Sequence, residues 1–341
     1  MPQTTKHRTP LCIFGWPSYV GGADTKLVHL LPLLTDKFSV TVIPNEANQL
    51  QEKVWTDYLS RIGVRFCLFE DLPAKGSGIA LALCNAAFFP SKIAHRAKAK
   101  GMKIIWSSEM MWHHEDELKA VKQGVIDKVL YVSELQKRYL EKGYRSLPSA
   151  MTGNFVDPNE FPFKKRRHGT FAIGRLSRPD AAKYPEDFPV FYERLELPDT
   201  RFRVMAWGEH LAQKYRWHTF GKRWDLLREA QETQVEFLHS IDLFIYPLGH
   251  EFRESWGRST VEAMLTGCIP LVPPGHHLDH LVTDGVNGFI CHDFKEYQMR
   301  AHSLYFDFDM RQEMSRRCRE HTIKTLCNRA DHQRLWEEVL S

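Results

Sequence analysis

Residues 243–272, LFIYPLGHEFRESWGRSTVEAMLTGCIPLV, carry two carboxylates eight positions apart, Glu254 in a loop and Glu262 in a helical stretch. Ionised carboxylates accept hydrogen bonds, so two of them at one site suit a ligand rich in hydroxyls, such as a sugar or a ribose. Glu262 stands between Val261 and Ala263–Met264–Leu265. A carboxylate in such apolar company needs a partner. The plainer reading is an ion pair with Arg258, four residues earlier on the same helix face. A second cluster is AIGRLSRPDAAKYPEDF, residues 172–188. Arg175 follows Gly174 at the end of an apolar run, and Arg178 and Lys183 come next. Arginine supplies a planar fork of donors and lysine a mobile point charge, so the three can hold a diphosphate. Pairing with Asp180, Glu186 or Asp187 would use the same cations up at the surface. A third stretch, GWPSYVGGADTKL at residues 15–27, places Gly21 and Gly22 before a helical pattern. Glycines there let backbone N–H groups approach an anion at a helix N-terminus. Asp24 can cap the same helix; a plain turn is the alternative.

Other residue types carry less. The 17 histidines include His276, His277 and His280 in PPGHHLDHLV. On a helix, His276 and His280 would share a face beside Asp279. The order lacks the acid of a zinc-protease motif, so no metal site is expected. His113 and His114, at a helix start, can polarise a hydroxyl or simply face solvent. Seven cysteines, an odd number with no CxxC pair, are expected as free thiols in a reducing compartment.

Positioning these groups requires a frame. Short apolar runs alternate with helical patterns through the first half. Strands are expected at Leu11–Gly15, Phe38–Ile43, Val64–Phe69, Ile79–Cys84, Met102–Trp106 and Lys128–Val132. Helices are expected at 24–34, 46–61, 91–100 and 133–142, the last closing on Gly143. Strands of this kind between helices imply a parallel sheet covered on both faces. Asn154–Gly169, with Pro158, Pro162 and the run Lys164–Arg167, breaks the rhythm and is expected as an exposed linker. Alternation then resumes with strands at Thr170–Ile173, Phe202–Ala206, Leu243–Tyr246, Ile269–Val272 and Gly288–Cys291. Helices are expected at 185–195, 225–240, 258–266, 277–283 and 294–304, followed by a helical tail from Met310 to Leu340. The division is a first α/β domain over 1–155, a linker at 156–169, a second α/β domain over 170–320 and a C-terminal helix at 321–341 that can pack back on the first. In such sheets ligands bind beyond the carboxyl ends of the strands.

Length and composition agree with this frame. The chain has 341 residues, 43% apolar and 26% charged, which excludes disordered and collagen-like classes. Its longest apolar run, Ile79–Phe89, is 11 residues and is broken by Asn85. About 18 are needed to span a bilayer. The opening MPQTTKHRTP lacks the apolar core of a signal peptide, so the expected location is the cytoplasm. Net charge is only +4, and no nucleic-acid partner is expected. Residues 1–155 hold 20 Lys and Arg against 14 Asp and Glu. That excess could favour weak peripheral contact with an acidic membrane surface; an ordinary solvated surface is the simpler account.

The 243–272 stretch resembles the signature of the retaining glycosyltransferases of family 4, which have the GT-B fold. That signature has two glutamates eight apart followed by an alanine and a glycine, here Glu254, Glu262, Ala263 and Gly267. The double glycine Gly21–Gly22, LYVSELQKRYLEKGY, GNFVDPNEF, IGRLS and DGVNGFIC match further motifs of that family in order, over residues 11 to about 295. The resemblance implies two doubly wound Rossmann-like domains facing across a cleft. It implies transfer of a sugar from a nucleoside-diphosphate sugar, UDP-hexose favoured, with retention. The donor is a substrate, and neither cofactor nor metal is implied. Gly21 and Gly22 would present amides to the diphosphate. Arg175, Lys183 and Arg178 would hold it and stabilise the leaving charge. Glu254, with Ser255, Trp256 and Gly257, would meet the donor sugar, and Glu262 the ribose. Glu109, His113 and His114 are the candidates for the acceptor side. The acceptor is a sugar, a lipid-linked sugar or a small molecule. Three positions depart from the pattern. Lys183 lies eight after Arg175 and is followed by Tyr184 where the family has glycine. The usual histidine after the fifth strand is replaced by SSEMMWHH. Trp207–Gly208–Glu209 keeps only one glycine of a Gly-x-Gly. A nucleotide-sugar epimerase of the same fold, or a non-catalytic nucleotide-sugar binder, are the alternative readings.

Overall fold

The structure is a computed structural model that describes residues 8–19, 22–73, 78–83, 85–169 and 171–341. It divides into two compact units: residues up to Phe155 together with Arg329–Ser341, and Val156–Asn328.

The first unit runs β1 (Thr9–Phe14), α1 (Gly22–Leu34), β2 (Phe38–Ile43), α2 (Lys53–Arg61), β3 (Arg65–Phe66), β4 (Gly78–Leu83), α3 (Ile93–Ala99), β5 (Met102–Ser107), α4 (Glu115–Lys122), β6 (Lys128–Tyr131), α5 (Glu134–Tyr144) and β7 (Ser149–Met151). The strands pair in parallel in the order β3-β2-β1-β4-β5-β6-β7. Leu11, Ile13, Ala80, Leu81, Ile104 and Ile105 are fully buried, as a sheet covered on both faces demands.

The second unit runs β8 (Phe171–Leu176), α6 (Phe188–Glu193), β9 (Thr200–Met205), α7 (Glu209–Lys214), β10 (Trp224–Leu227), α8 (Gln234–His239), β11 (Leu243–Ile245), α9 (Arg258–Thr266), β12 (Ile269–Val272), α10 (Leu278–Leu281), β13 (Phe289–Ile290), α11 (Phe294–Phe306) and α12 (Phe308–Thr325). Its sheet is parallel too, in the order β10-β9-β8-β11-β12-β13. In each unit the order reverses direction at one point, β1/β4 in the first and β8/β11 in the second. Open α/β sheets bind ligands outside the carboxyl ends of the strands at such points.

The sequence-based elements need several corrections. Residues 225–240, expected as one helix, are the edge strand β10, a loop and the short α8. The segment Trp224–Leu227 is too short to declare a period, and pairing with β9 decides it. Strand β7 and helix α7 have no counterpart in the expectation. The stretch 46–61 is a 3₁₀ turn, Ala47–Gln51, followed by α2. Helix α5 does not stop at Gly143 but continues to Tyr144. Asp24 lies inside the first turn of α1 rather than before it.

The segment 156–169 is largely exposed but anchored at a few points. Arg166 is buried and donates to the carbonyls of Leu238, His239 and Thr266 and to the Cys268 sulfur. Arg319 of α12 ties down Pro158 and Phe161 through their carbonyls. One basic residue of the Lys164–Arg167 run is thus a structural strut. The tail breaks at Leu326–Asn328. The last helix, α13 (Arg329–Leu340), belongs to the first unit, where Trp336, Val339 and Leu340 are buried. Arg329 there donates to Pro32 O at 2.8 Å and Lys128 to Val339 O at 2.7 Å. Among the described residues no helix is long and apolar enough to cross a membrane.

Candidate active site

The reversal point of the second unit gathers three pieces of chain: the end of β8, a 3₁₀ turn at Ala181–Lys183, and the loop that leaves β11. Asp180 caps the turn by accepting from Ala182 N at 3.0 Å. That brings Lys183 back over the sheet edge, where its ammonium meets Glu254 Oε2 at 3.2 Å. Tyr246, at the end of β11, donates its hydroxyl to the same oxygen at 3.1 Å. Both partners are nearly buried, 9% and 13% exposed. Burial pulls the Lys183 pKa down, but the Glu254 charge, Tyr246 and the bond to Glu254 together outweigh it, and the net shift is upward. For Glu254 burial pushes up, and the Lys183 charge with bonds from Lys183 and Tyr246 brings it below its ordinary value. The result is an ionised pair at neutral pH. Lys183 therefore does not pair with Asp180 or Asp187, and Glu186 instead pairs with Lys214 at 2.7 Å.

Arg175 sits beneath this pair rather than beside it. It is fully buried. Its guanidinium lies between the Tyr184 ring at 3.8 Å and the Tyr246 ring at 4.2 Å. It donates to Pro247 O, to Lys183 O at 2.8 Å and to Ser177 Oγ at 3.3 Å. Both faces and three edges of the fork are thus committed to the protein. Arg175 thereby ties together the segments that carry Lys183 and Glu254. The two tyrosines escaped sequence reasoning, although Tyr184 was visible as a departure from glycine. Arg178 is exposed and lies near enough to Lys183 to lower its pKa.

Glu262 is 2% exposed on α9 and is bonded by Arg258 Nε at 2.8 Å, the i,i+4 pair. Burial raises its pKa, and Arg258 partly offsets this. Between the two glutamates Ser255 is half-buried, and Trp256 and Gly257 are buried. Gly257 has φ +91, a left-handed conformation open to glycine, and it turns the loop into α9. The PPGHH loop lies on the same side. Glu254 acts on the titration of both His276 and His277. Burial, then the neighbouring His280, takes His277 down to about 4, so its imidazole is neutral at pH 7. His277 has φ +61 just ahead of α10, so His276 lies off the helix and shares no face with His280. Among the described residues no group of three or more His, Cys, Asp or Glu could hold a metal ion.

In the first unit Glu109 follows β5. Its carboxylate accepts from Lys26 Nζ at 2.8 Å, Ser107 Oγ at 3.2 Å and Asn154 Nδ2 at 3.4 Å. Lys26, 2% exposed on α1, also escaped the sequence reading. Its signal was a lone ammonium before the apolar run Leu27–Leu34. His113 bonds Leu140 O at 2.9 Å and packs edge-on against Tyr144. His114 is the N-cap of α4. Both histidines are tied into the start of α4, His113 also against α5. Gly22 opens α1; Gly21 lies outside the described residues, as does Cys84. The described cysteines are free.

No protein-family model matches the sequence, and no curated protein matches it. Solved structures do. Anabaena HepE in complex with UDP and glucose superposes with a TM-score of 0.74 at 14% identity, covering 98% of this chain and 99% of that one. A glycosyltransferase from Rickettsia africae gives 0.73 at 11% identity, with 98% of each chain covered. The sucrose-phosphate synthase of Thermosynechococcus elongatus gives 0.66 at 12%, covering 97% and 98%. These neighbours are glycosyltransferases of the GT-B type, and the fold of this chain, two parallel-sheet α/β domains, is the GT-B fold.

Proposed function

We propose that this chain is a retaining glycosyltransferase that moves a sugar from a nucleoside-diphosphate sugar, UDP-hexose favoured, to a hydroxyl acceptor. The observation that carries the reading is the Lys183–Glu254 pair at the β8/β11 reversal point. A nearly buried ion pair is a poor device for stability, because desolvation consumes most of the attraction. It suits a ligand whose own halves are an anion and a polyol. The diphosphate takes Lys183, supported by Arg178 from the surface, and the sugar hydroxyls take Glu254. Glu262, held by Arg258, is assigned to the ribose, and the Ser255–Gly257 turn to the donor sugar. The complexes of HepE with UDP, glucose and UDP-glucose support a UDP-sugar as donor.

In the reaction the acceptor oxygen attacks the anomeric carbon from the face the diphosphate leaves. The leaving phosphate oxygen takes the acceptor proton. Lys183 and Arg178 supply positive charge where negative charge develops, with no metal required. Preorganised charges in such a site are worth several kcal/mol, about 3 for a single donor. The acceptor is assigned to the first unit, with Glu109, His113 and His114 as the candidate residues near it.

The test is thermal unfolding against UDP, GDP and ADP. A ligand at about 100 times its dissociation constant adds about 2.7 kcal/mol, a shift of a few degrees. One base is expected to shift the wild type, and Lys183→Ala and Glu262→Ala to lose the shift. Release of UDP from UDP-glucose, with the product anomer followed by proton NMR, tests retention. No shift with any nucleoside diphosphate overturns the reading.

A further inference from the structure

A patch of aromatic rings lies at the carboxyl edge of the first unit's sheet, on the loop that leads from β1 towards Gly21–Gly22 and on α2. Tyr19 follows β1 and is 55% exposed. Its ring meets Trp55 of α2 at a centroid distance of 5.0 Å, and Trp55 meets Tyr58 edge-on at 5.9 Å. Val54 beside them is 73% exposed. The rings are braced from below. Trp16 is 2% exposed, packs edge-on against Phe66 and donates its indole N–H to Glu52 at 3.0 Å. Tyr58 donates its hydroxyl to Val28 O at 2.6 Å, fastening α2 to α1. Exposed rings on a braced helix form a surface on which a ligand can stack.

The surroundings decide the ligand class. Carboxylate and amide side chains lie in the turn that leads into α2. Glu52 begins α2, and Gln49 closes the 3₁₀ turn by accepting from Asn45 N at 2.8 Å. Asn85, after β4, donates to Asn45 Oδ1 at 2.6 Å. Residues 45–61 carry three acids, Glu46, Glu52 and Asp57, against two bases, Lys53 and Arg61. An anionic lipid surface selects a cationic rim, so this turn does not fit it. A neutral ligand with an apolar face and a hydroxyl edge does fit. A pyranose has that shape: its C–H face lies on an aromatic ring, and its hydroxyls bond to amides and carboxylates. The patch also stands at β1, one side of this sheet's reversal point.

We propose that Tyr19 and Trp55 form a stacking platform for a sugar ring, so that the acceptor of the proposed reaction is a saccharide. This rests on the transferase reading for the word acceptor, but the platform itself is testable without turnover. The experiment is saturation-transfer NMR on the full chain with glucose, galactose, N-acetylglucosamine and maltose, each with and without UDP. UDP-induced thermal shifts are measured in parallel. At least one sugar is expected to receive saturation from aromatic protons. Trp55→Ala and Tyr19→Ser are each expected to weaken its affinity about tenfold or more, and Trp55→Ala to keep the UDP shift of the wild type. Tyr19 is exposed, so its variant remains informative if Trp55→Ala fails to fold. A normal UDP shift with no saturation in any sugar overturns the platform. So does sugar binding that both variants retain, or binding of the wild type to phosphatidylglycerol vesicles that Trp55→Ala abolishes. Sugar binding without any UDP shift overturns the nucleotide reading and leaves the platform standing.

Discussion

Arg175 brings five N–H donors and two flat faces, and the second unit uses both faces and three of the donor directions internally. Lysine keeps the charge but loses the planar fork and the stacking. Arg175→Lys is therefore expected to cost about 3 kcal/mol, several degrees of melting temperature, and to weaken UDP binding by displacing Lys183. Arg178→Ala, at an exposed position, is expected to melt within about 0.5 kcal/mol of wild type and still to bind the nucleotide less well. Equal melting of Arg175→Lys and wild type would sink the strut assignment. Glu117 of α4 is the second residue whose environment overrides its type. It is fully buried, and burial pushes its carboxyl up to about 7, against weaker opposing bonds from His114 N and Trp106. The folded state thus holds a proton that the unfolded state releases at an ordinary carboxyl pKa. Stability is full at low pH, falls as pH rises through that interval, and levels off above about 7, with a loss on the order of 3 kcal/mol. Glu117→Gln is expected to match wild type near pH 4 and to melt higher at pH 8. Parallel melting curves across that range would exclude this linkage.

At the scale of elements, helix α5 contradicts the reading of Gly143 as a terminator. The residue is helical, and its missing side chain makes room for a neighbour. A Cβ there would meet the His113 Cε1 and Leu118 Cδ2 atoms at 2.9 Å. Gly143→Ala gains helix propensity but forces the α4–α5 contact apart. A net loss of about 1–3 kcal/mol is expected from the overpacking. Adding His113→Ala should recover much of it, read by a denaturant-unfolding cycle of the four proteins. Full stability of Gly143→Ala alone would show that the contact yields freely. The same packing fixes the His113 ring between Leu140 O and Tyr144. On the other unit, β10 shows the limit of periodicity. Four residues cannot declare a period, and only the neighbouring β9 makes them a strand.

At the scale of the molecule, the chain leaves the first unit at Phe155 and returns to it at Arg329. Helix α13 is part of that unit's packing. Lys26, the partner of Glu109, lies over the Trp336 ring at 5.7 Å. Each fully buried side chain of this size contributes about 1.5–3 kcal/mol. A chain ending at Asn328 loses Trp336, Val339 and Leu340 together, and is expected to melt several degrees lower. Differential scanning calorimetry measures it, and an unchanged profile would show that α13 adds nothing to the first unit.

The apolar runs and their helical spacers were enough for two parallel-sheet units. Continuous burial on both faces leaves a one-dimensional trace that any fold of this class must carry. The positions of Glu254, Lys183 and the loop before α9 were legible for a related reason, since they follow strands whose spacing comes from the alternation. What the sequence did not determine was who holds whom. Arg175, Lys183 and Glu254 are three charges on a line of text, and either of the first two could have met the third. Chain crossings at the β8/β11 point decide it, because they stack Tyr184 and Tyr246 on Arg175 and leave Lys183 for Glu254. In the same way Arg166 became a strut, Gly143 a gap and Trp55 half of a platform. Each outcome depends on a neighbour tens of residues away, and only the tertiary structure sets that neighbour.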